Sequence, residues 1–131
     1  MAHILSKNPI HLGLGATAEV EPEMTGDLSW YAGYGQRHGS DGAEGRLVSM
    51  YTFTESWDVW EMHPKGTEVV LCTGGEMTLV QEMDDGSHKR TTIGNGEYAV
   101  NEPGVWHTAD IEGEATAIFI TAGEGTEHRE R

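Results

Sequence analysis

The chain has 131 residues, enough for one domain with a modest core, and 22 acidic against 8 basic residues give it a formal charge of −14. That balance argues against nucleic acid, whose phosphates need clustered Lys and Arg, and against adsorption to an anionic membrane. One cysteine, Cys72, excludes an intrachain disulfide and reads as a packed thiol; no apolar run approaches the ~20 residues of a membrane-spanning helix. With no signal-peptide pattern at the N-terminus, the expected setting is cytoplasmic.

Residues 1–25 show little periodicity and read as an N-terminal arm, although they hold Ile4, Leu5, Ile10, Leu12 and Leu14. Three readings are open for it: a partly ordered leader, a strand that crosses to a partner subunit and covers an open sheet edge, or an arm folded back on its own barrel. From there no stretch of twelve residues has a clean 3.6-residue period, so no helix is predicted. Short strands are predicted instead, over 28–34, 46–53, 57–63, 69–73, 76–82, 88–93, 97–101, 106–111 and 115–121. Turns fall at Gly74-Gly75, at Asp84-Asp85-Gly86-Ser87 and at Gly94-Asn95-Gly96, each read as a hairpin. Short strands with turns every eight to twelve residues indicate an all-β sandwich or barrel, here over residues 26–122. The polar tail 123–131 is expected to fray.

Two segments carry chemistry. In the first, Glu61 and His63 are two positions apart on a predicted strand and so share a face. Pro64 biases His63 toward extended geometry, and a turn at Pro64-Lys65-Gly66 leads to Glu68, at the start of the next apolar strand. In the second, His107 follows Pro103-Gly104-Val105-Trp106. Two imidazoles and one or two carboxylates converging on a point make the ligand set of a divalent transition metal, with iron, manganese, nickel and zinc all suited to it. Glu61 has three readings: a ligand, a carboxylate that orients His63, or a general base. The opposing reading is a barrel whose polar residues hydrogen-bond to one another with no metal.

Around this point, Trp57 shares parity with Glu61 and His63 and is placed on the wall of a pocket, with Tyr51 and Phe53 on the preceding strand. Trp60 and Trp106 have the opposite parity and read as packing residues. His38, beside a glycine-rich loop, is placed at the pocket mouth, with Arg37 as a candidate partner for an anionic substrate; the plainer reading of that pair is solvated surface. His88 follows a hairpin turn and reads as exposed; His3, His11 and His128 lie in terminal segments and carry no spacing signal.

The two segments together resemble the cupin superfamily, in its small single-domain form. The first motif reads Glu61, one residue, His63, four residues, Glu68, six residues, Gly75; the second reads Gly96, Pro103-Gly104, two residues, His107. They span residues 57–111, a little under half of the chain. Two positions depart from the pattern: Glu61 stands where the first histidine is usual, and Ile111 where an asparagine often is. The resemblance implies a double-stranded β-helix, or jelly-roll, barrel with a ligand cavity between its sheets. It implies a divalent metal held by Glu61, His63, Glu68 and His107, with open positions for substrate or oxygen. The function expected is a metal-dependent enzyme of dioxygenase, isomerase or lyase type acting on a small polar molecule. The alternative is a metal-free module that binds a small molecule or sugar without catalysis. The partners expected are a small-molecule ligand and a second copy of the chain in a homodimer.

Overall fold

The computed structural model describes residues 1–131 as ten strands, a helix and a 3-10 turn. The strands are β1 (Ile10–Gly13), β2 (Thr17–Val20), β3 (Arg46–Phe53), β4 (Val59–Met62), β5 (Glu68–Glu82), β6 (His88–Gly94), β7 (Tyr98–Asn101), β8 (His107–Asp110), β9 (Ala115–Thr121) and β10 (Glu127–Glu130). The helix α1 (Leu28–His38) runs into the 3-10 turn Gly39–Glu44. All strand pairings are antiparallel, in the order β10-β4-β8-β5-β9-β3-β1-β2, with β6 and β7 also on β5.

Strand β5 joins the two halves of the barrel. Its first part, from Glu68, pairs with β7 and β9; its second part, to Glu82, pairs with β6 and β8. The change of partners follows a register shift between Cys72 and Gly74. Gly74-Gly75, expected to reverse the chain, instead bends one continuous strand. Gly75 takes a φ of 66°, and a Cβ there would sit 1.9 Å from the carbonyl oxygen of Glu114, so only glycine fits the bend. Between the two halves lie Val70, Cys72, Met77, Leu79, Ile93, Ala109, Ile111, Ala115, Ala117 and Phe119, the buried core. Alternation along β5 and β9 supplies it, as expected of strands with one buried face.

Two expectations are corrected, for residues 28–34 and for the tail, and the arm takes one of its open readings. Residues 28–34 are helical: Asp27 caps the helix by accepting from the Trp30 N–H at 2.9 Å, and at intervals of four Trp30 stacks on Tyr34 and Tyr34 meets His38 at a tilt. The two glycines in the segment mask that stripe. The tail expected to fray forms β10 along β4, with Arg129 over the rings of Trp60 and Trp106 at 5.3 and 4.6 Å. The N-terminal arm folds back on its own barrel as β1 and β2, beside β3. Buried Glu21 ties the arm to α1 through Arg37 at 2.9 Å and His38 at 2.9 Å. Buried His11 does the same through the Tyr34 hydroxyl and Asp41, each at 2.6 Å.

Candidate metal centre

Strand register assembles the site. Glu61 on β4 lies directly opposite His107 on β8, and His63, one residue past the end of β4, follows on the Glu61 face. Glu68 opens β5. The four side chains converge: ligand atoms from all of them lie within 4.8 Å of one another. The Nε2 of His63 is 3.0 Å from Glu61 Oε1 and 3.1 Å from Glu68 Oε2; the Nε2 of His107 is 3.3 Å from Glu68 Oε1 and 3.8 Å from Glu61 Oε1. His63, Glu68 and His107 are buried, and Glu61 is partly so.

The surrounding hydrogen bonds fix the protonation pattern. Thr126 Oγ1 donates to the Gly123 carbonyl, so toward His63 Nδ1, at 2.8 Å, its oxygen accepts. The Val105 carbonyl accepts from His107 Nδ1 at 3.2 Å. Each ring thus carries its proton on Nδ1 and presents Nε2 to the centre. Glu68 accepts from Asn101 Nδ2 at 3.0 Å and from the Thr121 hydroxyl at 2.7 Å; Gln81 orients Asn101 at 2.7 Å. Glu61 Oε2 accepts from His128 Nε2 at 2.9 Å, which leaves Oε1 facing inward.

These residues fit a divalent cation. Both Nε2 atoms are buried without a hydrogen-bond partner: with the ring proton on Nδ1, each Nε2 lone pair faces carboxylate oxygens, which accept and cannot donate. Two lone pairs and two carboxylates facing one another need two positive charges, from protons or a metal. Without metal the protons fill that role. Burial pushes each imidazole's pKa down, but Glu61 and Glu68 outweigh it and hold both His63 and His107 at about 9. Burial likewise raises the carboxyls, and hydrogen bonding and attraction from His107 and His63 outweigh it, leaving Glu61 and Glu68 well below the usual carboxylate range.

The centre lies on the wall of a cavity of about 1130 Å³ that opens to solvent. Glu61, His63 and Glu68 line it, as do all four residues expected on its wall, Trp57, Tyr51, Phe53 and His38. His107 is fully buried and does not reach the cavity surface. Arg37 is not among the lining residues; its guanidinium is engaged by Glu21 at 2.9 Å. Sequence reasoning passed over Thr126 and His128, since a polar tail shows no motif. It also missed Asn101, Gln81 and Thr121, whose strands were predicted but whose partners lie 20 to 53 positions away.

No protein-family model matches the chain, and comparison with curated proteins finds no match. Solved structures do resemble it. A cupin-2 domain protein from Shewanella frigidimarina aligns at a TM-score of 0.50 and 21% identity, over 58% of this chain and 69% of that one. Oxalate oxidase in complex with glycolate aligns at a TM-score of 0.55 and 16% identity, over 65% of this chain and 45% of the oxidase. Hydroquinone 1,2-dioxygenase from Sphingomonas sp. TTNP3 aligns at 0.50 and 14%, over 58% of this chain and 59% of the dioxygenase. At such identities the likeness speaks for architecture, and the architecture is the one that the paired motifs implied. The chain has the cupin fold, an all-β jelly-roll barrel.

Proposed function

We propose that this protein is a metal-dependent enzyme acting on a small molecule, with a divalent transition metal held by Glu61, His63, Glu68 and His107. The observation that carries the reading is the pair of buried Nε2 atoms, unbonded and aimed with two carboxylates at one point beside a cavity. A metal there supplies Lewis acidity at its open coordination positions. The chain's own residues do the rest. Thr126 and Val105 hold the two imidazole tautomers, Asn101, Thr121 and His128 hold the carboxylates, and the aromatic wall keeps water from part of the cavity. Iron, manganese, nickel and zinc suit the donor set, and dioxygenase, isomerase and lyase chemistry all suit such a centre. Enzymes occur among the structural neighbours, one of them described as Fe(II)-HppE with a substrate. The proposed setting is cytoplasmic.

Metal analysis of protein purified without chelator tests this. About one equivalent of metal is expected, retained or taken up on addition. Uptake below about 0.1 equivalent overturns the reading in favour of a metal-free binding module. One observation favours that second reading: each imidazole lies 3.0 to 3.8 Å from both carboxylates, close enough for two protons to take the place of a metal.

A further inference from the structure

We infer that the cavity takes a neutral aromatic alcohol, a molecule of the phenol class, and discriminates against carboxylates and other anions. The inference rests on the metal reading for one of its two supports, the charge of the centre.

That charge comes from the donor set. A divalent cation with Glu61, Glu68 and two neutral imidazoles sums to zero. Glu61 is the position that decides this, since a histidine there would leave the centre at plus one. The cavity offers an anion no other free cationic side chain. None of its lining residues is Lys or Arg, while Asp27 and Glu124 add negative charge to it. The nearest candidate, Arg37, is occupied by buried Glu21. Its histidines outside the centre, His11, His38 and His128, are each turned to a carboxylate, Asp41, Glu21 and Glu61 respectively. In a chain of formal charge −14, an anion entering this cavity meets repulsion with no compensating cation.

The second support is independent of any metal. One side of the cavity is a continuous aromatic surface of Tyr51, Phe53, Trp57 and Phe119, with ring centroids 5.7 to 6.1 Å apart. It begins near the centre, where the Trp57 ring lies 6.3 Å from that of His107. It ends where Tyr31 of α1 meets the Tyr51 hydroxyl. Such a wall favours a flat apolar body by dispersion and desolvation, and the tyrosine hydroxyls give a polar substituent a partner. A ring against the wall with a hydroxyl directed at the centre satisfies both ends.

Binding of three probes at pH 7 without oxygen tests the inference: 4-methylcatechol (neutral, aromatic), benzoate (anionic, aromatic) and succinate (anionic, aliphatic). Tryptophan fluorescence and calorimetry read binding to both the Co(II)-loaded and the metal-free protein. The expected result is 4-methylcatechol bound at least about tenfold more tightly than benzoate, with no saturation by succinate. Phe53→Ala is expected to weaken 4-methylcatechol about tenfold with Co(II) content unchanged. Tyr31→Ala, at an exposed side chain outside the core, is expected to weaken it in the same direction without a folding penalty. Benzoate or succinate binding as tightly as 4-methylcatechol overturns the inference, as does an unchanged affinity in both variants. Failure to take up Co(II), with the same probe selectivity, sinks the metal reading and leaves the substrate class standing.

Discussion

His63 and His107 are each tied down at Nδ1, so the free nitrogen of each ring has one place to point. Removing either ring removes a donor that no neighbour replaces. His63→Ala and His107→Ala are each expected to abolish metal uptake, whereas Glu61→Gln, which leaves three donors, weakens it less; metal content after dialysis reads the order. Equal loss in all three variants would make Glu61 as indispensable as the imidazoles, and unchanged content in the histidine variants would place the site elsewhere. Proton linkage gives a second check. Metal-free His63 and His107 hold protons up to about pH 9, so binding at pH 7 is expected to release close to two protons per metal, measurable in weakly buffered solution. Affinity then rises up to about a hundredfold per pH unit until pH 9. The metal-free fold follows the same groups. The raised imidazoles stabilise it fully below their ordinary value of 6.5 and lose that contribution as pH rises through 9. The depressed carboxyls stabilise it above their ordinary 4.5 and lose that contribution as pH falls through their folded values. Thermal unfolding of the metal-free protein is therefore expected to peak between about pH 4.5 and 6.5.

Strand β10 and helix α1 are the elements that turn a barrel into a site. β10 and the loop before it bring Thr126 to His63 and His128 to Glu61. Thr126→Val removes the acceptor that holds the His63 proton on Nδ1, and a loss of ten- to a hundredfold in metal affinity is expected, with the fold unchanged by circular dichroism. An unaffected affinity would mean that His63 is oriented by its backbone alone. Helix α1 carries Tyr31, and its Asp27 cap is a local test of the element: Asp27→Ala is expected to lower the denaturation midpoint, since the Trp30 N–H loses its acceptor. Gly75→Ala strikes the opposite end of the barrel, where the Glu114 carbonyl leaves no room for a Cβ. A loss of several kcal/mol, or no folded protein at all, is expected there.

The whole molecule still exposes Ile4, Leu12, Leu14 and Val20 on the arm, even though the arm lies on its own barrel. β2 is the edge of the strand order, with an unpaired face of backbone donors and acceptors. We propose a homodimer that joins these edges, since two-fold assemblies are the common way to cover such a surface. Light scattering at micromolar concentration is expected to give twice the 14.3 kDa chain mass. Leu14→Lys with Val20→Lys should shift it toward monomer; a monomeric mass for the unaltered chain would defeat the proposal.

The donors were legible in the sequence because their chemistry is local. Glu61 and His63 share strand parity and Pro64 and Gly66 turn the chain toward Glu68; His107 is tied to them by the paired motifs of the cupin resemblance. Strand β3 was equally legible, since an eight-residue run rich in β-branched, aromatic and apolar residues after a glycine-rich stretch needs only its own pattern. Helix α1 was not, because its repeat is an aromatic stripe at intervals of four, interrupted by glycines, and its stability comes from Glu21 and His11 on the arm. The bend at Gly75 looks like a turn until the Glu114 carbonyl is seen beside it. The same holds for Thr126 and His128: a polar tail has no signal of its own, and pairing with β4 over a separation of more than sixty residues gives each side chain its role. Sequence determined which donors exist and which strands carry them; tertiary structure decided which nitrogen faces the centre, which carboxylate oxygen is free and which wall a substrate meets. Those depend on hydrogen-bond partners and on distances that only the folded chain sets.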